Sequence, residues 1–536
     1  MIASAMRFAA DPSPENLARA DAWADAALAS VSRIYQGFGG IQLMTLLLAQ
    51  HYDLNRGNFT SAWLLGANCT RMMQMMSLHV FDRTFPVKFP SSLRLSPLLT
   101  GEALRRVAWS TFYADTMLEA GRYGFHVVDE KSYRVQLPCD QTSFLSNQAI
   151  VTEPLFHNTN VTANINSDDF QRAPLDMSGY LLRTAAVRRR ALHFAFRASH
   201  REQTVEEMIS ELAIIEADVE EFVRALPKTF QFNTDNIFIH RDQLITFILL
   251  HVLRHNLFII IGRAALHIYQ RDPTKANLMT QVRRKRISHA LPIAAVISEG
   301  LKSGIPFDTH IGVQAYVALE ILLFEPRRMV QIDRSIDIMA PEIMEAIPHL
   351  LAVIRDLGAR SELVKQLHIE AVHRLLRCDC MHLVNQVDFT VFHSEYRLIG
   401  QDVAEYDFRD FRWAKLERLR RGAKLTTSGS RDEALLEYTV GGDAAETSTA
   451  SSPHLDAIDI NNTSLWPSNA PSLHTMPSHA LNMIADQSVD GRGRDVDICN
   501  AIAFQATAQH KKMQPRTPTS TCVESGNSTQ AHETQP

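Results

Sequence analysis

His251 and His255 stand four residues apart, a spacing that puts two imidazoles on one helix face and suits a pair of metal ligands. No glutamate follows His251 and no third ligand is near in sequence, so two polar positions in a helix groove are the plainer reading. Cys378-x-Cys380-x-His382 is a second metal-type spacing, but structural zinc sites space their cysteines in turns, whereas this stretch has a helical pattern. Buried thiols on a core helix are expected there. Gly37-Phe38-Gly39-Gly40 precedes a helical stretch and invites a phosphate-cradle reading. It lacks the full glycine spacing, a preceding strand and a Gly-Lys-Ser/Thr, so a turn that starts a helix suffices. Asp168-Asp169 lacks the third carboxylate of a metal–diphosphate box. Glu206-Glu207 and Glu220-Glu221 fall in polar helical stretches and read as solvated faces. No Gly-x-Ser-x-Gly elbow occurs, and no residue nominates itself as nucleophile or general base, so no catalytic residue and no metal ligand is assigned.

Three basic clusters remain. Arg188-Arg189-Arg190 is short. Arg283-Arg284-Lys285-Arg286 looks like a nuclear-import patch, with a solvated helix face as the bland alternative. Arg409 to Lys424 mixes Phe411 and Trp413 with seven Lys or Arg. Its aromatics precede the densest charge rather than alternate with it, which favours an amphipathic helix docked on the core over a nucleic-acid patch.

The elements that must position these residues are helical almost throughout. Apolar residues recur at helical spacing in Ile41–Leu48, in Trp63–Met76 and from Glu102 through Met117, and again over 179–200, 204–226, 239–270, 276–301, 311–325, 342–357 and 361–385. Only Tyr133, Val135 and Leu137 ahead of Pro138 suggest a short extended piece. Leu244–Tyr269 is the most apolar stretch, but polar residues including Arg254 and Arg263 interrupt it. A buried core helix is expected in place of a bilayer span, and with it a soluble chain without membrane partners. The fold class is all-α.

The chain of 536 residues carries 54 Lys+Arg and 59 Asp+Glu, a net charge of −5, with 46% hydrophobic and 21% charged residues. That excludes a wholly disordered chain and one that grips nucleic acid by bulk charge. Six cysteines are too few for a disulfide scaffold. Residues 426–536 hold 6 Lys+Arg and 13 Asp+Glu and are rich in Ser, Thr, Asn, Gly and Pro. Such a segment buries too little apolar surface to offset its ordering entropy, so it reads as a disordered acidic tail behind a folded body over 1–425. Within it, Leu455–Ile460 with Leu465-Trp466 could form a short activating motif.

One stretch is more specific. Glu102-x-x-Arg105-Arg106-x-x-Trp109-x-x-Phe112-x-x-Asp115, followed by Gly121-Arg122 and Leu137-Pro138-Cys139, resembles the hallmark of the fungal-specific transcription factor domain, the middle homology region of fungal zinc-cluster and zinc-finger activators. Upstream, Gln42, Leu46-Leu47-Leu48, Trp63, Gly66, Arg71-Met72 and Leu78-His79 resemble the family's preceding helix pair, and Ala5-Met6-Arg7-Phe8 its opening. The resemblance is specific over about 3–145 and general over 180–385. Physically the marker reads as scaffold: Trp109 and Phe112 bury large areas, Arg106 can stack on a ring or pair with a carboxylate, and Gly121 ends the helix.

The resemblance implies a nuclear regulatory domain acting on RNA polymerase II transcription through an effector or partner. Its expected partners are transcription machinery or co-regulators, and a homodimer is compatible. Family members also carry an N-terminal DNA-binding module with zinc. Here the first cysteine is Cys69, so DNA contact is expected only through a missing module or partner, and zinc only in that module; no cofactor is expected in this chain. The rival readings are an all-α enzyme and a cytoplasmic helical scaffold.

Overall fold

A computed structural model describes residues 1–395, apart from 9–12, 33–38, 85–96, 120–126, 149, 156–170, 201–202, 331–333 and 339. The acidic tail, its Leu455–Trp466 segment, the Arg409–Lys424 cluster, Asp168-Asp169 and Gly37-Phe38 fall outside the described residues. Those that are described all lie in the first of two compact units, 1–492.

The architecture is all-α. In chain order come α1 (Ile2–Arg7), α2 (Pro14–Ser32), α3 (Gly40–Asn55), α4 (Phe59–Met75), α5 (Pro97–Glu119), α6 (Gln141–Leu145), α7 (Met177–Ser199), α8 (Val205–Arg224), α9 (Thr234–Ile239), α10 (Leu244–Tyr269), α11 (Ala276–Lys302), α12 (Thr309–Val330), α13 (Pro341–Gly358), α14 (Glu362–Arg377) and α15 (Gln386–Glu395). Two residues each of β1 (Ile150–Val151) and β2 (Gln171–Arg172) pair in parallel, and Gln136 bridges Pro154 beside them.

Local chemistry sets several starts. Thr204 and Glu207 form a capping box on α8, Asp140 caps α6 through the Ser143 N–H, and Asn233 caps α9 through the Asn236 N–H. The helix expected over 239–270 is broken: α9 ends at Ile239, a 3-10 turn covers Arg241–Gln243, and only then does α10 begin. The helix expected over 361–385 stops at Arg377, because Asp379 takes a left-handed φ of 56°. Cys378 and Cys380 therefore sit in the turn after α14, buried and unbridged, rather than on a core helix.

Among the described residues two large apolar cores result, beside a small cluster of Ala3, Ala20 and Tyr52. The first gathers Leu43, Leu46, Leu65, Met73, Trp109, Phe112, Tyr133 and Leu137 from α3, α4, α5 and the segment after it. The second is larger and mainly aliphatic, drawn from α7, α8 and α10 to α14. α10 lies at its centre, packed against α7, α8, α11 and α12. By length and composition α10 is apolar enough to cross a bilayer, yet 83% of its most apolar window is buried inside the fold. It is a core helix. Tyr113 and Tyr180 pack against both cores and mark where they meet.

Candidate functional site

The marker residues on α5 form a clamp. Arg105 is buried and grips Asp82 with two parallel bonds, Nε to Oδ2 at 3.0 Å and Nη2 to Oδ1 at 2.9 Å, and it also meets Glu102. Arg106 donates to Glu102 Oε1 at 3.0 Å, to Gln141 Oε1 at 2.8 Å and to the Cys139 carbonyl at 2.8 Å. Its guanidinium lies 4.4 Å from the centre of the Phe144 ring. Trp109 is 1% exposed, and its indole N–H donates to the Gln136 carbonyl at 2.8 Å. The rings of Phe112 and Tyr133 pack 5.5 and 5.0 Å from it. In return, the backbone N–H of Gln136 donates to Asp82 Oδ2 and that of Cys139 to Glu102 Oε1. The helix face thus holds the extended 133–139 segment, including the buried Pro138, by ionic and backbone bonds together.

Asp115 closes the clamp on its other side. It accepts from Arg189 Nη2 at 3.3 Å, while that guanidinium also reaches the Val128 carbonyl and lies 5.7 Å from the Phe112 ring centre. Burial raises the Asp115 carboxyl to about 6, with the Arg189 charge opposing. Of the marker residues, Arg105, Arg106, Trp109, Phe112, Asp115 and Pro138 come together; Gly121 and Arg122 lie outside the described residues. These charged groups are engaged with one another and with backbone, so the arrangement positions chain. Sequence spacing did not find Asp82, Gln136 or Arg189. A buried arginine demands a carboxylate, but nothing in the sequence says which one.

The basic run Arg283 to Arg286 is not a contiguous exposed patch. It wraps around the middle of α11: Arg283 and Arg286 both engage Glu325 of α12, and Lys285 reaches Glu216 and Glu220 of α8 at 3.4 and 3.3 Å. Arg286 is buried, lying over Gly262, where an added Cβ would stand 2.7 Å from its Cγ. Arg284 is exposed. Of the run read as an import patch or a solvated face, Arg284 is exposed, while Arg283 and Arg286 are held by the Glu325 carboxylate.

His251 and His255 do not converge on a common ligand. His251 Nε2 meets the Phe230 carbonyl at 2.9 Å, and His255 Nδ1 meets His289 Nδ1 at 3.2 Å. Burial lowers them to about 3 and about 4, with Arg254 adding to it. Among the described residues no three His, Cys, Asp or Glu side chains are grouped as a metal site. Arg254 donates to the Val223 carbonyl in the last turn of α8, where a cation complements the exposed carbonyls.

A second polar cluster, not anticipated from sequence, lies at the junction of the two cores. Asp308 immediately precedes α12 and accepts at Oδ1 from the His310 N–H and from His310 Nδ1, both at 2.8 Å. Burial pushes the Asp308 carboxyl up, but His310 and His51 override that and hold it at about 2. Thr309 donates to Asn55 Oδ1 at 2.6 Å, tying the start of α12 to α3. The His310 ring lies 6.4 Å from that of Tyr113 on α5. The Tyr113 hydroxyl is pushed up by burial and by the Asp308 charge, and drawn down by Arg188 of α7, so it feels both charges. Arg188 is 1% exposed and donates to Asn256 Oδ1 of α10 at 3.2 Å.

Compared with known proteins, residues 1–211 match the fungal specific transcription factor domain family. A stretch of 166 residues is 28% identical to an uncharacterized transcriptional regulatory protein of Schizosaccharomyces pombe. That stretch is 30% of this chain and 23% of the relative, so the chain matches about a quarter of the relative's length. No solved structure matches.

Proposed function

We propose, from the match of residues 1–211 to the fungal specific transcription factor domain family, that the chain is the regulatory part of a nuclear factor that controls RNA polymerase II transcription in response to an effector or a partner protein. A general role in transcription regulation accords with the family and with the yeast relative. The observation that carries the finer reading is the clamp. Among the described marker residues, Arg105, Trp109, Phe112, Asp115 and Pro138 are buried and Arg106 is half-buried, and they hold neighbouring chain, which gives them a holding role and leaves regulation to other groups of the same body. Transcription machinery or co-regulators are the partners of this reading, self-association of the body is compatible with it, and no catalytic step is assigned. DNA and zinc enter as properties of a separate reader module, with no residue of this chain assigned to them. Arg284 and its neighbours on α11 remain the candidate import determinant.

Tethering tests the reading. The full chain, fused to a heterologous DNA-binding domain in a fungal host, should change a reporter several-fold and accumulate in the nucleus. A reporter unmoved by the expressed, folded fusion would overturn it.

A further inference from the structure

We propose that the outward face of α8 is the docking surface for this chain's own basic segment, Arg409–Lys424. The contact does not depend on the transcription-regulatory reading above.

α8 has two unlike sides. Inward, Met208, Leu212 and Val219 are buried, and Ile209, Ile215 and Phe222 pack against the same core. Outward, Ala213, Ile214 and Ala217 are exposed at spacings of three and four, an apolar strip in which Ile214 is 62% exposed. Exposed carboxylates flank this strip: Glu206 and Glu207 in the first turn, then Asp218, Glu220 and Glu221. The helix carries a single cation, Arg224.

The body answers only part of that charge. Glu211 pairs with Arg197 at 2.7 Å, and Glu216 and Glu220 meet Lys285 at 3.4 and 3.3 Å. Glu207 closes the capping box with Thr204. Among the described residues no ion pair reaches Glu206, Asp218 or Glu221. Like charges three apart on a helix, as Asp218 and Glu221 are, repel. An apolar strip rimmed by unmatched acids fits a basic amphipathic helix.

The sequence of Arg409–Lys424, which lies outside the described residues, is the complement. It holds seven Lys or Arg against Asp410 and Glu417, a net of +5. Trp413, Leu416, Leu419 and Ala423 recur at spacings of three and four, the pattern of one helix face, with Arg412 and Arg420 beside them. Glu206 to Glu221 and Arg409 to Lys424 are equally long, about 22 Å each as helix, so the two charge patterns cover the same length. The segment is within reach as well. The chain from Glu395, the end of α15, to Arg409 extends up to about 46–50 Å. A compact body of about 400 residues has a radius of gyration of about 21 Å. So tethered, the segment has an effective concentration on the order of millimolar, at which weak surface pairs suffice. Once docked, its cations face the carboxylates of α8, and a polyanion gains them only by displacing the segment.

The test uses the full chain and a zero-length carbodiimide cross-linker, which joins carboxylates to lysine amines in contact. Lys415 or Lys424 should link to Glu206, Asp218 or Glu221 at low salt, with about fivefold less product at about 0.5 M salt. Hydrogen exchange of the 409–424 amides should be slowed severalfold in the parent chain. The triple change Glu206→Arg, Asp218→Arg and Glu221→Arg should free them, as should Arg412→Glu, Lys415→Glu and Arg420→Glu. Both sets together should restore protection, and because the three α8 positions are exposed the melting temperature should hold. An equal mixture of unlabelled and nitrogen-15 chains separates a contact within one chain from one between copies. Mixed-mass links alone would overturn the proposal and make the face a contact between two copies. Lysines linked only to carboxylates of residues 396–536 would overturn it too, as would 409–424 amides exchanging at the unprotected rate in low salt.

Discussion

One helix serves two regions that treat buried polar groups in opposite ways. On α5, Glu102, Arg105, Arg106 and Trp109 have their charges and donors matched by Asp82, Gln141, Gln136 and the backbone of 136–139. One turn further on, the hydroxyls of Tyr113 and Thr116 are buried and lack partners. The clamp balances two guanidinium groups against two carboxylates, so each charge that leaves water gains an opposite one. At the junction Tyr113 feels Asp308 and Arg188 in opposite senses, from different elements. The matched face fixes how the chain runs, and the unmatched face is where something from outside can still change the energy.

The largest test of the comparison strikes the frame. Trp109→Ala should cost about 3–5 kcal/mol, since it opens a large cavity and frees the Gln136 carbonyl. Chemical denaturation of the full chain reads this, and a loss under about 1 kcal/mol would mean Trp109 is not the centre of its core. Next comes Arg105→Lys, which keeps the charge but loses the parallel grip on Asp82; about 2–3 kcal/mol is expected. A methylene deletion in the other core, Ile297→Val, should cost only about 0.5–1.5 kcal/mol. Equal losses for these two conservative changes would erase the distinction between a clamp of particular residues and an aliphatic core.

That distinction also explains what the sequence disclosed. The clamp depends on particular side chains at particular spacings, so Arg105, Arg106, Trp109 and Asp115 can be picked out by eye, and the family match falls over 1–211. The core built on α10 to α14 needs only apolar residues at helical period, which many sequences supply. Its helices are legible, but its identity is not. Boundaries failed where a local bond outweighed the pattern: at His240, where Asn233 caps a separate short helix, and at Asp379, where a left-handed residue ends α14. Helical periodicity says which residues share a face, but not that the buried Glu325 of the neighbouring helix engages Arg283 and Arg286. The junction was invisible because its members come from residues 51, 113, 116, 188 and 308–310, brought together only by the fold.

Charge balance can be tested by pH. On α12, Glu320 pairs with Arg374 at 3.1 Å, but Glu370 shares that guanidinium at 3.0 Å, so two carboxylates face one cation, unlike the clamp. Burial first, and Glu370 after it, raise Glu320 to about 7, against the pull of Arg374. The unfolded chain releases this proton near 4.3. Between those values the native state holds more protons than the unfolded one, so stability from this group is greatest below about pH 4 and is lost as pH rises toward 7. Glu320→Gln fixes the uncharged form. Relative to the parent chain, the variant should gain about 2 kcal/mol between pH 5 and pH 8. Parallel pH profiles would show Glu320 already ionised at pH 5, and the local imbalance compensated.

The smallest effect is the sharpest, because one chemical change should take opposite signs in the two regions. Tyr133 in the clamp donates its hydroxyl to the Ala108 carbonyl at 3.2 Å. Tyr133→Phe leaves that buried acceptor short of a donor and should cost about 1 kcal/mol. Tyr113 at the junction has no such acceptor. Carrying an unpartnered hydroxyl out of water opposes folding, so Tyr113→Phe should stabilise the unliganded chain by up to about 1 kcal/mol. The ring is kept in both cases, so packing is common to the pair and the difference reports the hydroxyl alone. Denaturation midpoints at unchanged slope would register the two shifts. A loss of 1 kcal/mol or more for Tyr113→Phe would mean that this hydroxyl is already bonded, by water or by chain, and that the junction is as closed as the clamp.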